Sequence, residues 1–97
     1  MKVRLTATAE KELNRILSYI DSDSPDAAKR IGAAIEQALN WVGRWPLMSP
    51  IVPGQRVRSK LVLRYQYRIY DVVTDDDVIV RNIRSTRQLR PWEKPRS

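Results

Sequence analysis

Arginine is the residue type with the greatest capacity for chemistry in this sequence, and it is concentrated in the second half of the chain. From Gly54 to Ser97 there are eleven Lys or Arg residues against five Asp or Glu, and nine of the eleven are Arg. The residues before Gly54 are nearly neutral, so the second half carries almost all of the formal net charge of +7. A one-sided basic field concentrates anions, and the planar guanidinium binds phosphate or carboxylate in bidentate fashion. This distribution predicts a nucleic acid or an acidic protein as the partner, with a merely solvated basic surface as the alternative.

The missing residue types restrict the chemistry further. The sequence contains no histidine, so the usual proton shuttle near neutral pH is absent, and a general base would have to be Lys, Tyr, Asp or Glu. It contains no cysteine, which excludes disulfides and thiolate chemistry. Three consecutive aspartates at 75–77 are better explained as a hairpin turn than as a metal site, because consecutive side chains point in different directions. We therefore expect neither a metal nor a cofactor.

The segments before the basic half predict a support for it. Lys2 to Leu5 alternates polar and apolar residues, as a short strand does. Apolar residues then recur every three or four positions in two stretches, which predicts two helices that end near Asp21 and Arg44. Thr6 or Thr8 could cap the first helix, while Ser24 followed by Pro25 would begin the second. The break between them is short, so we expect an antiparallel helical hairpin over about 7–44.

The remaining segments predict a sheet. A connection with three prolines, residues 45–54, cannot continue a helix or form a central strand. Strands are expected over 56–63, 65–73 and 78–83, with a turn at 74–77. In the first of these, alternation places Arg56, Arg58 and Lys60 on one face. We expect Trp41 and Trp45 to close the core and Trp92 to fold back onto the sheet, since such large apolar surfaces are costly to leave in water.

These elements fit one small domain over 1–97, with the sheet and a basic tail at about 55–97. The fold class is α+β: an N-terminal strand and an antiparallel helical hairpin packed on a three-stranded antiparallel meander. No run of about 18 apolar residues is available to span a membrane, and the first residues are too polar for a signal peptide. We therefore expect a cytoplasmic protein without membrane contact.

Four segments of the chain resemble the ParE/RelE superfamily of type II toxin–antitoxin toxins. Leu5 to Leu13 is similar to the start of their first helix, and Pro46 to Arg56 to the connection that enters their sheet. Tyr67-Arg68-Ile69-Tyr70 resembles a strand with the pattern Tyr-Arg-hydrophobic-aromatic, and Ile83 to Arg87 the end of their last strand. The resemblance covers nearly the whole chain and implies the same order of elements, β-α-α-β-β-β.

The resemblance implies one of two targets. RelE-like members cut mRNA on the ribosome without a metal, whereas ParE-like members poison DNA gyrase without known catalytic residues of their own. RelE-like enzymes keep a tyrosine near the position of Glu93-Lys94, and the superfamily often has a histidine where Ser85 stands. Both departures, together with Arg64 before Tyr65 and the ending Pro91-Trp92, favour the ParE-like branch. We therefore expect a gyrase inhibitor with a role in stress response or plasmid stabilisation, and a ribosome-dependent mRNA endonuclease as the alternative.

The site residues expected from this reasoning are mostly basic. Arg68 and Arg87 would stabilise charge if the chain were a nuclease, and Arg68 could instead pair with Asp71 or with an acidic residue of an antitoxin. The implied antitoxin is an acidic segment that folds on binding and covers the helical hairpin and the basic sheet. A simple nucleic-acid-binding module is the third hypothesis. The residues expected to bind the target are Arg64, Arg68, Arg84, Arg87, Arg90 and Trp92.

Overall fold

The computed structural model describes residues 1–95 of the chain, so the end of the predicted basic tail, Arg96 and Ser97, lies outside the described residues. The elements follow one another in the predicted order, with two helices and four strands. Their bounds are β1 Lys2–Leu5, α1 Ala7–Asp21, α2 Pro25–Arg44, β2 Arg58–Val62, β3 Tyr67–Val73 and β4 Asp77–Ser85.

Both helices begin at residues that the sequence marks as caps. The Thr6 hydroxyl accepts a hydrogen bond from the Ala9 amide at 3.1 Å, and the Ser24 hydroxyl accepts one from the Ala27 amide at 3.2 Å. Each cap satisfies one amide that has no partner inside the helix. Pro25 occupies the first position of α2, where a missing N–H costs nothing. The predicted bounds of both helices are confirmed.

The four strands form one mixed sheet in the order β1-β4-β3-β2. The last three strands are the predicted antiparallel meander, and β1 joins it parallel to β4. The expected strand bounds were inexact: β2 and β3 begin two residues later than predicted, and β4 extends to Ser85. β2 starts later than predicted because residues 52–57 form their own tight turn, in which the Val52 amide donates to the Val57 carbonyl at 2.9 Å. Within residues 1–95, neither helix is long and apolar enough to cross a bilayer.

Both helices pack against one face of the sheet, which we call the helix-facing side. The core there contains Ala9 and Ile35 from the helices and Val62, Ile69 and Ile83 from the strands, all at most 1% exposed. Burial of such side chains contributes roughly 1.5–3 kcal/mol each for the larger ones. The opposite face of the sheet, which we call the open face, carries the strand side chains that alternate with the helix-facing ones.

The expectation that Trp45 closes the core is wrong. Its side chain is 52% exposed, because α2 ends at Arg44 and the chain turns away from the sheet there. Trp41, one turn earlier, is half-buried and lies beneath the Lys60 ammonium, 4.0 Å from the ring centre. The core is closed instead by Val42 and by the close contact of Gly43 with β1.

Candidate partner-binding site

The open face of the sheet presents a polar and aromatic strip. Side chains of directly opposed residues lie on the same face of an antiparallel pair. Tyr70 of β3 opposes Ser59 on one side and Asn82 on the other, and Arg68 opposes Leu61 and Arg84 in the same way. The predicted strand motif at 67–70 therefore contributes Arg68 and Tyr70 to the open face.

The tail after β4 folds back over this strip. The Thr86 amide donates to the Gln66 carbonyl at 2.7 Å, which holds the start of the tail beside β3. Trp92 packs edge-on against Tyr70, with ring centres 5.4 Å apart and planes at 87°. This contact leaves Tyr70 only 5% exposed. The predicted return of Trp92 onto the sheet is confirmed.

Three of the six expected target-binding residues line one pocket between the tail and the sheet. Arg68 comes from β3, and Arg87 and Arg90 come from the tail. We call the pocket that these three arginines line the basic groove. The pocket has a volume of about 610 Å³, is open to solvent, and is also lined by Tyr70 and Glu93. A smaller pocket of about 210 Å³ beside it is lined by Arg68, Arg90 and Trp92. The fold thus brings four of the six residues together, although two of the arginines are far from Arg68 in sequence.

Arg68 has a different partner from one of those suggested by the sequence. Its guanidinium donates to the Ser59 hydroxyl at 3.0 Å across the open face. Asp71 lies on the helix-facing side, so the suggested pairing of Arg68 with Asp71 is wrong. The guanidinium is half-buried and fixed by a neutral partner, which leaves its charge available to an anion.

Arg84 is half-buried and is held in place by a carboxylate that the sequence reasoning missed. The Arg84 Nε donates to Glu12 Oε2 at 2.9 Å, and its Nη1 donates to the Leu89 carbonyl at 3.0 Å. Glu12 Oε1 also accepts from the side-chain amide of Asn82 at 3.0 Å and from the backbone amide of Ile83 at 3.2 Å. Glu12 occupies the edge of β4 beyond the end of β1, where these donors have no neighbouring strand. The one sequence signal for Glu12 is its place in the segment Leu5 to Leu13, which resembles the start of the first helix in the superfamily.

Arg64 lies apart from the groove, in the tight turn between β2 and β3. It is exposed and has a backbone φ of 71°, a left-handed conformation that is uncommon for a residue with a side chain. The bend places the Arg64 side chain at the end of the sheet. Arg64 lines neither the basic groove nor the smaller pocket beside it.

The basic residues of β2 serve the interior rather than the open face. Arg58 and Lys60 oppose Asp71 and Ile69 on the helix-facing side. The Arg58 Nη1 donates to the carbonyls of Ser49 at 2.6 Å and Leu47 at 3.2 Å. The predicted alternation holds for Arg58 and Lys60, and their shared face is the one turned toward α2 and the 45–57 connection. It does not extend to Arg56, which lies in the 52–57 turn before β2.

Asp71 is the second acidic residue whose role the sequence did not reveal. It is 1% exposed, and neither carboxylate oxygen has a hydrogen-bond partner within residues 1–95. Burial raises the pKa of Asp71 from 3.8 to about 6, and the nearby Arg58 charge opposes that increase. The carboxylate is on the side of the sheet away from the basic groove and plays no part in it.

The basic groove can bind anions and has little means of moving protons. Arginine is always protonated and acts only as a donor. The pocket's uncharged or acidic titratable side chains are Tyr70, which is buried, and Glu93, whose Oε1 accepts from the Arg90 amide at 2.9 Å. Among residues 1–95 no cluster of His, Cys, Asp and Glu is arranged to hold a metal ion.

Known proteins resemble this chain in both sequence and fold. The family model for the ParE toxin of the type II toxin–antitoxin system parDE matches residues 3–90. No curated protein matches the sequence significantly. Among solved structures, the chromosomal ParDE toxin–antitoxin system of Pseudomonas aeruginosa includes a chain that aligns with a TM-score of 0.76 at 15% identity, over 88% of this chain and 95% of that one.

Two further structures share the fold. A chain of the RelBE2 toxin–antitoxin complex of Mycobacterium tuberculosis aligns with a TM-score of 0.58 at 22% identity, over 87% of this chain and 95% of that one. A conserved hypothetical protein of Helicobacter pylori aligns with a TM-score of 0.53 at 11% identity, over 88% and 93%. At these identities the structures establish the fold alone, whereas the family model covers most of the sequence. The chain therefore belongs to the ParE toxin family of type II toxin–antitoxin systems, within the ParE/RelE superfamily.

Proposed function

We propose that this type II toxin inhibits DNA gyrase and that the basic groove is the centre of the surface that contacts it. The observation that carries the proposal is the convergence of Arg68, Arg87 and Arg90 on one open pocket. Arg64 would extend this surface along the sheet, and Trp92 would add an aromatic contact beside it. Arg84 would act mainly by holding the tail, since Glu12 and the Leu89 carbonyl occupy its guanidinium.

Binding suits this pocket better than catalysis. The three guanidinium groups outnumber the one carboxylate of the pocket, Glu93, whose Oε1 lies 3.8 Å from the Arg90 Nε, so the pocket keeps a net positive charge that complements an acidic protein surface or phosphate. A ribonuclease would also need a group that accepts the 2′-hydroxyl proton. Tyr70 is covered by Trp92, and Glu93 is engaged by the Arg90 amide, so neither is presented to the pocket as a free base.

A gyrase assay tests the proposal. The purified toxin should inhibit supercoiling of relaxed plasmid and trap gyrase as cleaved complexes at micromolar concentration. The double variant Arg68→Ala/Arg87→Ala should reduce inhibition at least tenfold, a loss of about 1.4 kcal/mol or more, because it removes two charges from one pocket. A matched control is Arg15→Ala/Arg30→Ala, which removes the same charge from exposed positions on the helices. Unchanged supercoiling with folded wild-type toxin, or equal losses in both variants, would contradict the proposal.

A ribosome-dependent mRNA endonuclease is the second candidate. The specific observation in its favour is that Arg68, Arg87 and Glu93 line the same pocket, so two charge-stabilising groups and one carboxylate are adjacent. If it is correct, toxin added to translating ribosomes produces cuts in phase with codons, and Arg68→Ala and Glu93→Gln each abolish them. Intact transcripts under those conditions exclude this candidate.

We also propose that an antitoxin neutralises the toxin through an acidic segment. The toxin families that share this fold occur in toxin–antitoxin complexes, and the net charge of +7 favours an acidic partner. Copurification with the product of the adjacent gene tests this directly. If the basic surface were instead a general nucleic-acid-binding module, the chain would bind unrelated DNA with an affinity that falls steeply with salt.

A further inference from the structure

Two neighbouring pockets on the open face share part of their walls. The basic groove, of about 610 Å³, and the smaller pocket of about 210 Å³ beside it are both lined by Arg68, Tyr70 and Arg90. A molecule that occupies one pocket can therefore extend into the other past these residues. The remaining walls of the two pockets differ in chemistry, so together the pockets suit a ligand with two dissimilar ends.

The smaller pocket, which we call the apolar pocket, is lined mainly by apolar side chains. Residues 50–53 of the connection and Trp92 of the tail supply them. Both segments are held in place, because the Pro50 carbonyl accepts from the Ser59 amide at 3.0 Å and the Trp92 ring packs edge-on against Tyr70. Apolar and aromatic walls of this kind favour a flat heterocycle such as a nucleobase, whose ring faces stack on aromatic side chains.

The basic groove carries more charge than a single anionic group can balance. Its charged lining is three arginines against one glutamate, a net of +2. The glutamate, Glu93, lies 3.8 Å from the Arg90 Nε, and because both side chains are exposed their pairing contributes little and can be displaced. One carboxylate or one phosphodiester has a single negative charge, whereas a diphosphate or triphosphate has two or more. The charge of the groove therefore favours a polyphosphate.

Two of the arginines of the basic groove are oriented by neutral acceptors. The Arg68 Nη1 donates to the Ser59 hydroxyl at 3.0 Å, and the Arg87 Nε donates to the side-chain carbonyl of Gln66 at 3.2 Å. A guanidinium has five N–H groups, so each of these side chains keeps most of its donors for a ligand. Their positions are thus fixed without their charge being neutralised.

We propose that the basic groove and the apolar pocket form one binding site for a nucleoside polyphosphate. The phosphates would accept hydrogen bonds from Arg68, Arg87 and Arg90, and the base would lie in the apolar pocket against Trp92 and residues 50–53. Because this site overlaps the surface proposed to contact gyrase, a bound nucleotide would compete with that target. The competition rests on the proposed function, whereas nucleotide binding itself does not.

A single strand of nucleic acid fits this surface less well than a free nucleotide. Proteins bind such strands along a positively charged groove that follows the backbone over several nucleotides. Here the neighbouring arginines do not continue the groove, because Arg84 is engaged by Glu12 and Arg64 lies at the end of the sheet. A polyphosphate concentrates its negative charge within one pocket, which matches the way the three arginines are gathered.

Isothermal titration calorimetry on the full chain tests the proposal, with ADP and GDP as probes in a buffer free of divalent cations. At least one of the two should bind, about tenfold more tightly than pyrophosphate or its own nucleoside, because each of these fills only one pocket. Binding of neither nucleotide overturns the proposal, as does pyrophosphate that binds as tightly as the nucleotide. A short single-stranded DNA that binds more tightly than both nucleotides also overturns it, because the occupant would then be a strand.

Substitutions separate the phosphate part of the site from the base part. Arg87→Ala should weaken the nucleotide and pyrophosphate alike, by about fivefold, because it removes a phosphate contact. Trp92→Ala should weaken the nucleotide and leave pyrophosphate unchanged. The matched control Arg15→Ala removes the same charge from an exposed position on α1 and should change neither affinity. Equal losses in Arg87→Ala and Arg15→Ala would contradict the assignment of the phosphates to the groove.

Ile51→Ala tests the base part without disturbing the tail, which Trp92 helps to hold. The Ile51 side chain is 58% exposed and lines the apolar pocket, so its truncation should leave the fold intact. We expect nucleotide affinity to fall about threefold and pyrophosphate affinity to stay the same. If Ile51→Ala changes both affinities by the same factor, or changes neither, the base does not occupy the apolar pocket and the proposal is wrong. These measurements do not involve gyrase, so failure of the proposed function cannot be mistaken for failure of this site.

Discussion

Asp71 provides the sharpest test of how this structure balances its charges, because its carboxylate is buried and has no hydrogen-bond partner within residues 1–95. The side chain is 1% exposed, and the opposing Arg58 directs its guanidinium to the carbonyls of Ser49 and Leu47. Removing the charge by Asp71→Asn keeps the size and shape of the side chain. We expect this variant to be more stable than the wild type at neutral pH.

The magnitude follows from the pKa of Asp71, which burial raises from 3.8 to about 6. A folded-state pKa above the unfolded value means that the folded protein holds the proton more tightly. The favourable contribution of the protonated group is therefore complete below pH 3.8 and is lost as the pH rises through about 6. A difference of about two pKa units corresponds to about 3 kcal/mol in total, of which about 2 kcal/mol is lost between roughly pH 4.5 and 7.5.

Urea unfolding followed by tryptophan fluorescence at the two pH values measures this effect. The gain in free energy of unfolding from Asp71→Asn should be about 2 kcal/mol larger at pH 7.5 than at pH 4.5. Asp75→Asn, at an exposed position in the following turn, is the matched control and should show no such difference. An advantage of equal size at both pH values, or a variant less stable than wild type at pH 7.5, would refute the reasoning.

Three further predictions concern helix packing, the tail and the partner. Gly43→Ala should lower the free energy of unfolding by about 1–2 kcal/mol, because the new Cβ would lie 2.7 Å from the Val3 side chain. In the control Gly32→Ala the new Cβ meets only ordinary contacts at 3.7 Å, so this variant should be neutral or stabilised by up to about 1 kcal/mol. If urea titrations showed Gly32→Ala to be less stable than Gly43→Ala, the packing described for β1 would be contradicted. Glu12→Gln should lower the free energy of unfolding by about 1–2 kcal/mol and speed proteolysis of the tail, because the substitution weakens the bond to Arg84 that positions the tail. The control Glu36→Gln, on the exposed face of α2, should do neither. Raising the salt concentration from about 50 to 500 mM should slow association with an acidic antitoxin by about tenfold in stopped-flow measurements; a rate constant independent of salt would argue against electrostatic steering.

The helices and the order of the elements could be predicted because their signals are local. A cap such as Thr6 or Ser24 bonds to an amide three residues away, so both partners lie within one short segment. The apolar spacing of each helix and the alternation of the strands likewise depend on neighbouring residues. The order β-α-α-β-β-β follows from these local signals and agrees with the fold of the solved toxin structures.

Several features escaped the sequence because they join residues far apart along the chain. The contact of Glu12 with Arg84 spans 72 positions, and neither residue has a local feature that identifies the other. The sheet also has an irregularity at Tyr70 and Asp71, where Arg81 is an extra residue in β4, so simple alternation cannot give the register on both sides of it. The exposure of Trp45 was mispredicted for a related reason, since the size of an aromatic ring does not determine where the chain turns.

The amino-acid sequence by itself determined the basic second half, the absence of histidine and cysteine, the two capped helices, and four segments whose order and spacing resemble the superfamily. Only the tertiary structure decided which cations are available to a partner. Folding turns Arg58 and Lys60 toward the helices and the 45–57 connection and engages Arg84 with Glu12. It gathers Arg68 and Arg87 at one open pocket, together with Arg90, whose guanidinium lies 3.8 Å from Glu93. The physical reason is that net charge is a sum over residues, whereas a binding surface depends on the side of the sheet from which each side chain projects and on whether another group of the same chain already occupies its charge.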